Sequence, residues 1–78
     1  MKLKDIKTRI VAELEERDII VNCIKIRGYH EDKNIIQKIT ISIEDISSSK
    51  NILYEVKNVL DNTEDNCGIS ILEKFIEI

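Results

Sequence analysis

Few residues in this sequence have the chemistry for catalysis or metal binding: His30 with Glu31 and Asp32, the cysteines Cys23 and Cys67, and the run Ser47 to Ser49. A histidine beside two carboxylates can ligate a metal or move a proton only when further groups converge on the same pocket. His30 is the one histidine of the chain, and the stretch Gly28 to Asn34 around it has the composition of a hairpin loop, so the cluster reads as a solvated turn. The carboxylate pairs Glu15/Glu16, Glu44/Asp45 and Glu64/Asp65 are adjacent in sequence and diverge in regular structure. The cysteines show neither CxxC nor Cys/His spacing and read as small buried hydrophobes of a reducing compartment. The serines lack a nucleophile-elbow context and suit helix capping.

Glycine occurs only at positions 28 and 68, which removes a P-loop, a dinucleotide fingerprint and a GxxG phosphate clamp. Tyr29, Tyr54 and Phe75 fall in a loop, a helix and a strand and so form no stacking platform for bases. The expectation is a chain that is not an enzyme and that needs no cofactor and no metal.

The elements that hold these residues follow from hydrophobic spacing. From Leu3 to Arg17, the residues Leu3, Ile6, Ile10, Val11 and Leu14 recur three or four apart, which predicts a first helix. Ile19 to Arg27 is dense in β-branched residues and predicts a strand, with Ile20, Ile24 and Ile26 on one face and Asn22 the exception among them. A second strand follows the Gly28 to Asn34 loop, with Ile35, Ile39, Ile41 and Ile43 facing inward and Gln37 the polar residue in that register. Ser47, Ser48 and Ser49 offer N-caps to a second helix from about Ser48 to Asp61, whose apolar stripe is Ile52, Leu53, Val56, Val59 and Leu60. The polar stretch Asn62 to Gly68 should break it, and Ile69 to Ile78 reads as a third strand.

The order α-β-β-α-β predicts an α+β two-layer sandwich, a single domain over residues 1–78. A three-stranded mixed sheet should carry both helices on one face, since each helix has one apolar stripe to bury. The hairpin makes the first two strands antiparallel, and the helical crossover makes the third parallel to the second. Whether the third strand is central or at an edge stays open at this level.

Size and charge bound the function. Seventy-eight residues, 42% hydrophobic and 35% charged, leave no room for a second core. A net charge of −3 argues against a nucleic-acid binder that relies on phosphate contacts. No apolar run is long enough for a membrane span, so the expectation is a soluble, cytoplasmic chain. Its richness in Ile, Lys and Asn suggests a low-GC bacterium or one of its mobile elements.

Two patterns point to a partner. The third strand carries large apolar groups on both faces, Ile69, Ile71 and Phe75 on one and Leu72, Ile76 and Ile78 on the other, which either a bulge or a contact with another chain would explain. On the first helix, Lys2, Lys4, Lys7 and Arg9 crowd the start while Glu13, Glu15, Glu16 and Asp18 crowd the end, the reverse of the macrodipole preference. Pairs such as Asp5 with Arg9 and Arg9 with Glu13 would partly offset it. Lys4 and Lys7 of one copy against Glu13 and Glu16 of the next would give a head-to-tail contact. The candidate interaction residues are therefore Ile69, Ile71, Phe75, Lys4, Lys7, Glu13 and Glu16.

Over Leu3 to Glu16, Ile19 to Ile43 and Asn51 to Ile78, this arrangement resembles the ring-building motif of bacterial secretion and sporulation-channel ring proteins. The resemblance implies an oligomeric assembly module, although those proteins are membrane-anchored. Phage tail-completion proteins look similar, and the KH fold is a topological relative whose GxxG is missing here. The leading expectation is a protein-interaction or assembly module that self-associates or docks on a protein. The alternatives are a mobile-element or phage protein, either an inhibitor of a host defence complex or a tail-completion component, and a KH-like nucleic-acid binder.

Overall fold

The computed structural model describes residues 2–44 and 51–78. Helix α1 spans Leu3–Glu16, strand β1 Val21–His30, strand β2 Ile35–Ile43, helix α2 Ile52–Cys67 and strand β3 Ser70–Glu77. The sheet order is β1-β2-β3, with β1 antiparallel and β3 parallel to β2. This is the expected α+β sandwich, and β3 takes an edge.

The core lies between one sheet face and the helices. Ile6, Ile10 and Leu14 of α1 and Val56, Val59 and Leu60 of α2 are fully buried against Ile36, Ile39, Ile41 and Ile43 of β2. Branched aliphatics suit the central strand, where pleated packing rewards stiff side chains.

Several boundaries differ from the sequence reading, each for a local reason. α2 does not break at Asn62. Thr63 is buried and returns its hydroxyl to the Val59 carbonyl at 2.9 Å, while Glu64 meets Lys74 of β3, so polar residues continue the helix. It ends at Gly68, whose φ of 64° closes the last turn as Ile69 N–H donates to the Glu64 carbonyl at 3.1 Å. Its N-cap is Asn51, whose Oδ1 accepts from Tyr54 N–H at 3.2 Å. Ser47 to Ser49, expected to cap it, lie outside the described residues, as does Asp45.

α1 ends the same way, with Ile19 N–H on the Leu14 carbonyl at 3.0 Å, but here Asp18 takes the left-handed position with φ 60°. β1 runs on through Gly28 and Tyr29 to His30, so the turn shrinks to residues 31–34. Asn34 closes it at φ 53°, and its carbonyl accepts from Ser70 N–H at 2.8 Å, tying the hairpin to the start of β3.

The inward register also changes. Burial alternates along each strand, but the alternation breaks where two consecutive residues are exposed, at Arg27 and Gly28, Gln37 and Lys38, and Leu72 and Glu73, with a further such pair at Asn22 and Cys23 of β1. The first three of these breaks are aligned, because Arg27 pairs with Lys38 and Lys38 with Glu73. The alternation therefore shifts by one residue along a line crossing the whole sheet. On the helix side the rows read Tyr29, Ile36, Ile71, then Ile26, Ile39, Lys74, then Ile24, Ile41, Ile76. Ile36 is fully buried and Gln37 is exposed, reversing the expected inward placement of Gln37.

Gly28 sits on this line with φ +66°, and a Cβ there would lie 2.5 Å from Gln37 Cγ and 2.7 Å from Gln37 Cβ. Only glycine fits both the backbone angle and the close approach. A second irregularity, between Val21 and Cys23, turns Ile20 out, where it is 50% exposed, and leaves Ile19 buried in its place.

Candidate functional site

With both helices on one side, no described element covers the other side of the sheet. Its rows, from β1 to β3, are Cys23, Ser42, Glu77, then Lys25, Thr40, Phe75, then Arg27, Lys38, Glu73. A shallow groove of about 370 Å3 runs over this face, lined by Cys23, Lys25, Arg27, Lys38, Thr40, Ser42 and Glu77. Phe75 is 51% exposed beside it, and Leu72 on the shift line is 59% exposed.

The charges on this face are segregated by strand. β1 contributes Lys25 and Arg27, β2 contributes Lys38, and β3 contributes Glu73 and Glu77 on either side of Phe75. Arg27 and Lys38 are cross-strand neighbours of like charge, an arrangement that destabilises a sheet unless something neutralises it. Lys38 turns its ammonium over the Phe75 ring, 5.5 Å from the centroid. Lys25 and Arg27 make no ion pair among the described residues.

β3 is handled differently on its two sides. Lys74 points inward from the middle of this edge strand, where its ammonium meets Glu64 Oε1 and lies 3.3 Å from Asp61 Oδ1 on α2. The hydrogen bond to Glu64 is the leading cause that holds the Lys74 ammonium above its ordinary pKa, with the bond to Asp61 adding to it against partial burial. An inward lysine on an edge strand opposes the addition of a further strand, because a new neighbour would have to accommodate it. The other edge is interrupted by the β1 irregularities at Val21/Cys23 and Gly28.

The structure divides the interaction residues anticipated from the sequence. Ile69 and Ile71, 3% and 7% exposed, belong to the chain's own core, which removes them from a contact surface. The shift in alternation accounts for them: β3 faces inward at Ile69 and Ile71 before the line and at Lys74 and Ile76 after it. Phe75 stays exposed.

On α1, Lys4 and Glu16 are exposed while Lys7 and Glu13 are half-buried. The intrahelical pairs expected of Arg9 are not formed among the described residues. Instead Arg17 donates from Nη1 to the Glu13 carbonyl at 2.8 Å and lies 3.4 Å from Glu55 of α2 through Nε.

Cys23 is an exposed free thiol on the open face, contrary to the buried reading, whereas Cys67 is half-buried against the core. His30 is exposed at the end of β1, and no group of three or more His, Cys, Asp or Glu among the described residues could hold a metal ion. Among the same residues, no helix is long and apolar enough to cross a membrane.

The basic row was the feature missed from sequence. Its signal was available, since Lys25, Arg27 and Lys38 occupy outward positions of strands whose other face must take both helices. No protein-family model matches the chain, and neither the curated proteins nor the solved structures contain a match to it.

Proposed function

We propose that this chain is a non-enzymatic protein-interaction module whose working surface is the uncovered face of its sheet. The observation that carries the reading is the row Arg27, Lys38, Glu73 beside Lys25, Thr40, Phe75: an exposed aromatic on a face whose Lys25 and Arg27 make no ion pair among the described residues. An aromatic flanked by charge is the composition of a docking site, where a ring supplies contact area and charges supply selectivity. Glu73 and Glu77 beside the single aromatic of this face disfavour a polyanion, so a protein partner suits it better than nucleic acid.

The test is a photo-crosslinking residue at position 75, compared with one at Lys57, an exposed position on α2, in the cells that encode the protein. The expected result is a protein adduct at 75 and none at 57. Adducts of equal yield at both positions, no protein adduct at 75, or an adduct to nucleic acid overturns the reading.

A further inference from the structure

We infer that the occupant of the open face is a second copy of the chain, seated face to face about a twofold axis that runs over β2 parallel to the strands. This rests on the reading of that face as a docking surface and names its partner.

The argument is charge complementarity under one symmetry operation. The face has cations along β1, acids and an aromatic along β3, and Lys38, Thr40 and Ser42 between. A twofold axis parallel to the strands exchanges the β1 and β3 sides while keeping each row at its own height. Arg27 of one copy then stands over Glu73 of the other, and Lys25 stands over Phe75 between Glu73 and Glu77. A twofold axis across the strands would instead place β1 over β1 and set cation against cation. Of these two axes, the strand-parallel one gives each Arg27 an acid from the other copy. Lys38 would stand over Lys38 of the other copy, and its contact with Phe75 draws each ammonium off the axis toward its own β3, which carries Glu73 in the same row.

Geometry sets the strength. Three strands about 4.8 Å apart and some eight residues of about 3.3 Å rise give a face of roughly 14 by 26 Å. That footprint, about 360 Å2 per copy, falls below the roughly 800 Å2 per partner of a standard specific interface, which implies a weak, reversible dimer. Edge-to-edge pairing through β3 is the competing route to a second copy, and the inward Lys74 opposes it.

The test is a charge swap followed by sedimentation equilibrium up to millimolar protein at low salt. Arg27→Glu and Glu73→Arg lie at exposed positions, and far-UV circular dichroism checks that each variant folds. Each single reversal should weaken dimerisation about tenfold or more, and the double variant R27E/E73R should recover it, because the swapped face is again self-complementary. Added salt should weaken the wild-type dimer.

A monomeric wild type at millimolar concentration overturns the inference. So does a dimer indifferent to the single reversals, or a double variant that fails to recover. The crosslink at position 75 separates this failure from that of the docking reading: a monomer that crosslinks there to a different protein refutes the second copy and keeps the docking surface.

Discussion

Gly28→Ala should be among the most damaging single-methyl additions available in this chain. Two terms contribute. Holding alanine at φ +66° requires the left-handed region, which for a residue with a Cβ costs about 1–2 kcal/mol. The added methyl would also lie 2.5 Å from Gln37 Cγ and 2.7 Å from Gln37 Cβ, where carbon atoms prefer about 3.5–4.0 Å. Cγ can rotate away. Cβ cannot, because it is fixed to the backbone of the central strand, so β1 and β2 must separate by several tenths of an ångström near the hairpin end of their ladder. Overpacking of that kind costs about 1–3 kcal/mol, for a total of roughly 2–5 kcal/mol.

A domain of this length holds only about 4–12 kcal/mol, so the variant would forfeit a large share of its stability. Gly68→Ala is the internal control, since its φ of +64° is nearly the same and nothing lies within 4 Å of the added Cβ. Urea unfolding should give G68A a loss of about 1–2 kcal/mol and G28A clearly more. Adding Gln37→Gly to G28A removes the obstructing Cβ, and the double-mutant cycle should return about 1–3 kcal/mol of coupling. Equal losses for the two glycines, or no coupling with Gln37, would refute the steric argument.

Asp18→Gly should stabilise the protein by about 0.5–1 kcal/mol in the same unfolding assay, because the left-handed residue after α1 is then the one that adopts it freely. Lys74 has a raised pKa, so its contribution is complete below the unfolded value of 10.5 and is lost as pH rises through the higher folded value. Lys74→Met should therefore flatten the alkaline limb of a stability-versus-pH curve, leaving the slope from Tyr29, whose phenol is raised by burial first and by Glu31 and Cys67 next; an unchanged limb would remove the ion pair from the account. With a thiol reagent on the folded protein, Cys23 should react at once and Cys67 only slowly, and Cys23→Ser should abolish the fast phase.

Much of the architecture was legible because it rests on local periodicity. The stripe Ile6, Ile10, Leu14 and the run Ile39, Ile41, Ile43 declare their inward faces without knowledge of any neighbour. The shift line was not legible, because it depends on which residues lie side by side across strands. Gly28 alone looks like a turn glycine, and only opposite Gln37 does it become a fixed point of the sheet. The end of α2 was misjudged for a related reason. Asn62, Thr63, Asp65 and Asn66 are weak helix formers, and the helix runs on through them where Thr63 and Glu64 find partners in Val59 and Lys74. Of the candidate contact residues, Phe75 is exposed because it follows the shift, and Ile69 and Ile71 lie inside because they precede it.

The shift line also bears on how the sheet avoids mispairing. In a uniformly alternating sheet, sliding one strand by two residues keeps every side chain on its proper face, so packing polarity alone does not penalise that error. Here each strand carries its own phase mark, at Arg27 and Gly28, at Gln37 and Lys38, and at Leu72 and Glu73. A two-residue slide would put the marks out of line, driving core isoleucines toward water on one side of the mismatch and setting a Cβ where Gly28 now admits Gln37. The chain thus encodes a vernier across its strands, one that rejects even the slips that plain alternation would tolerate.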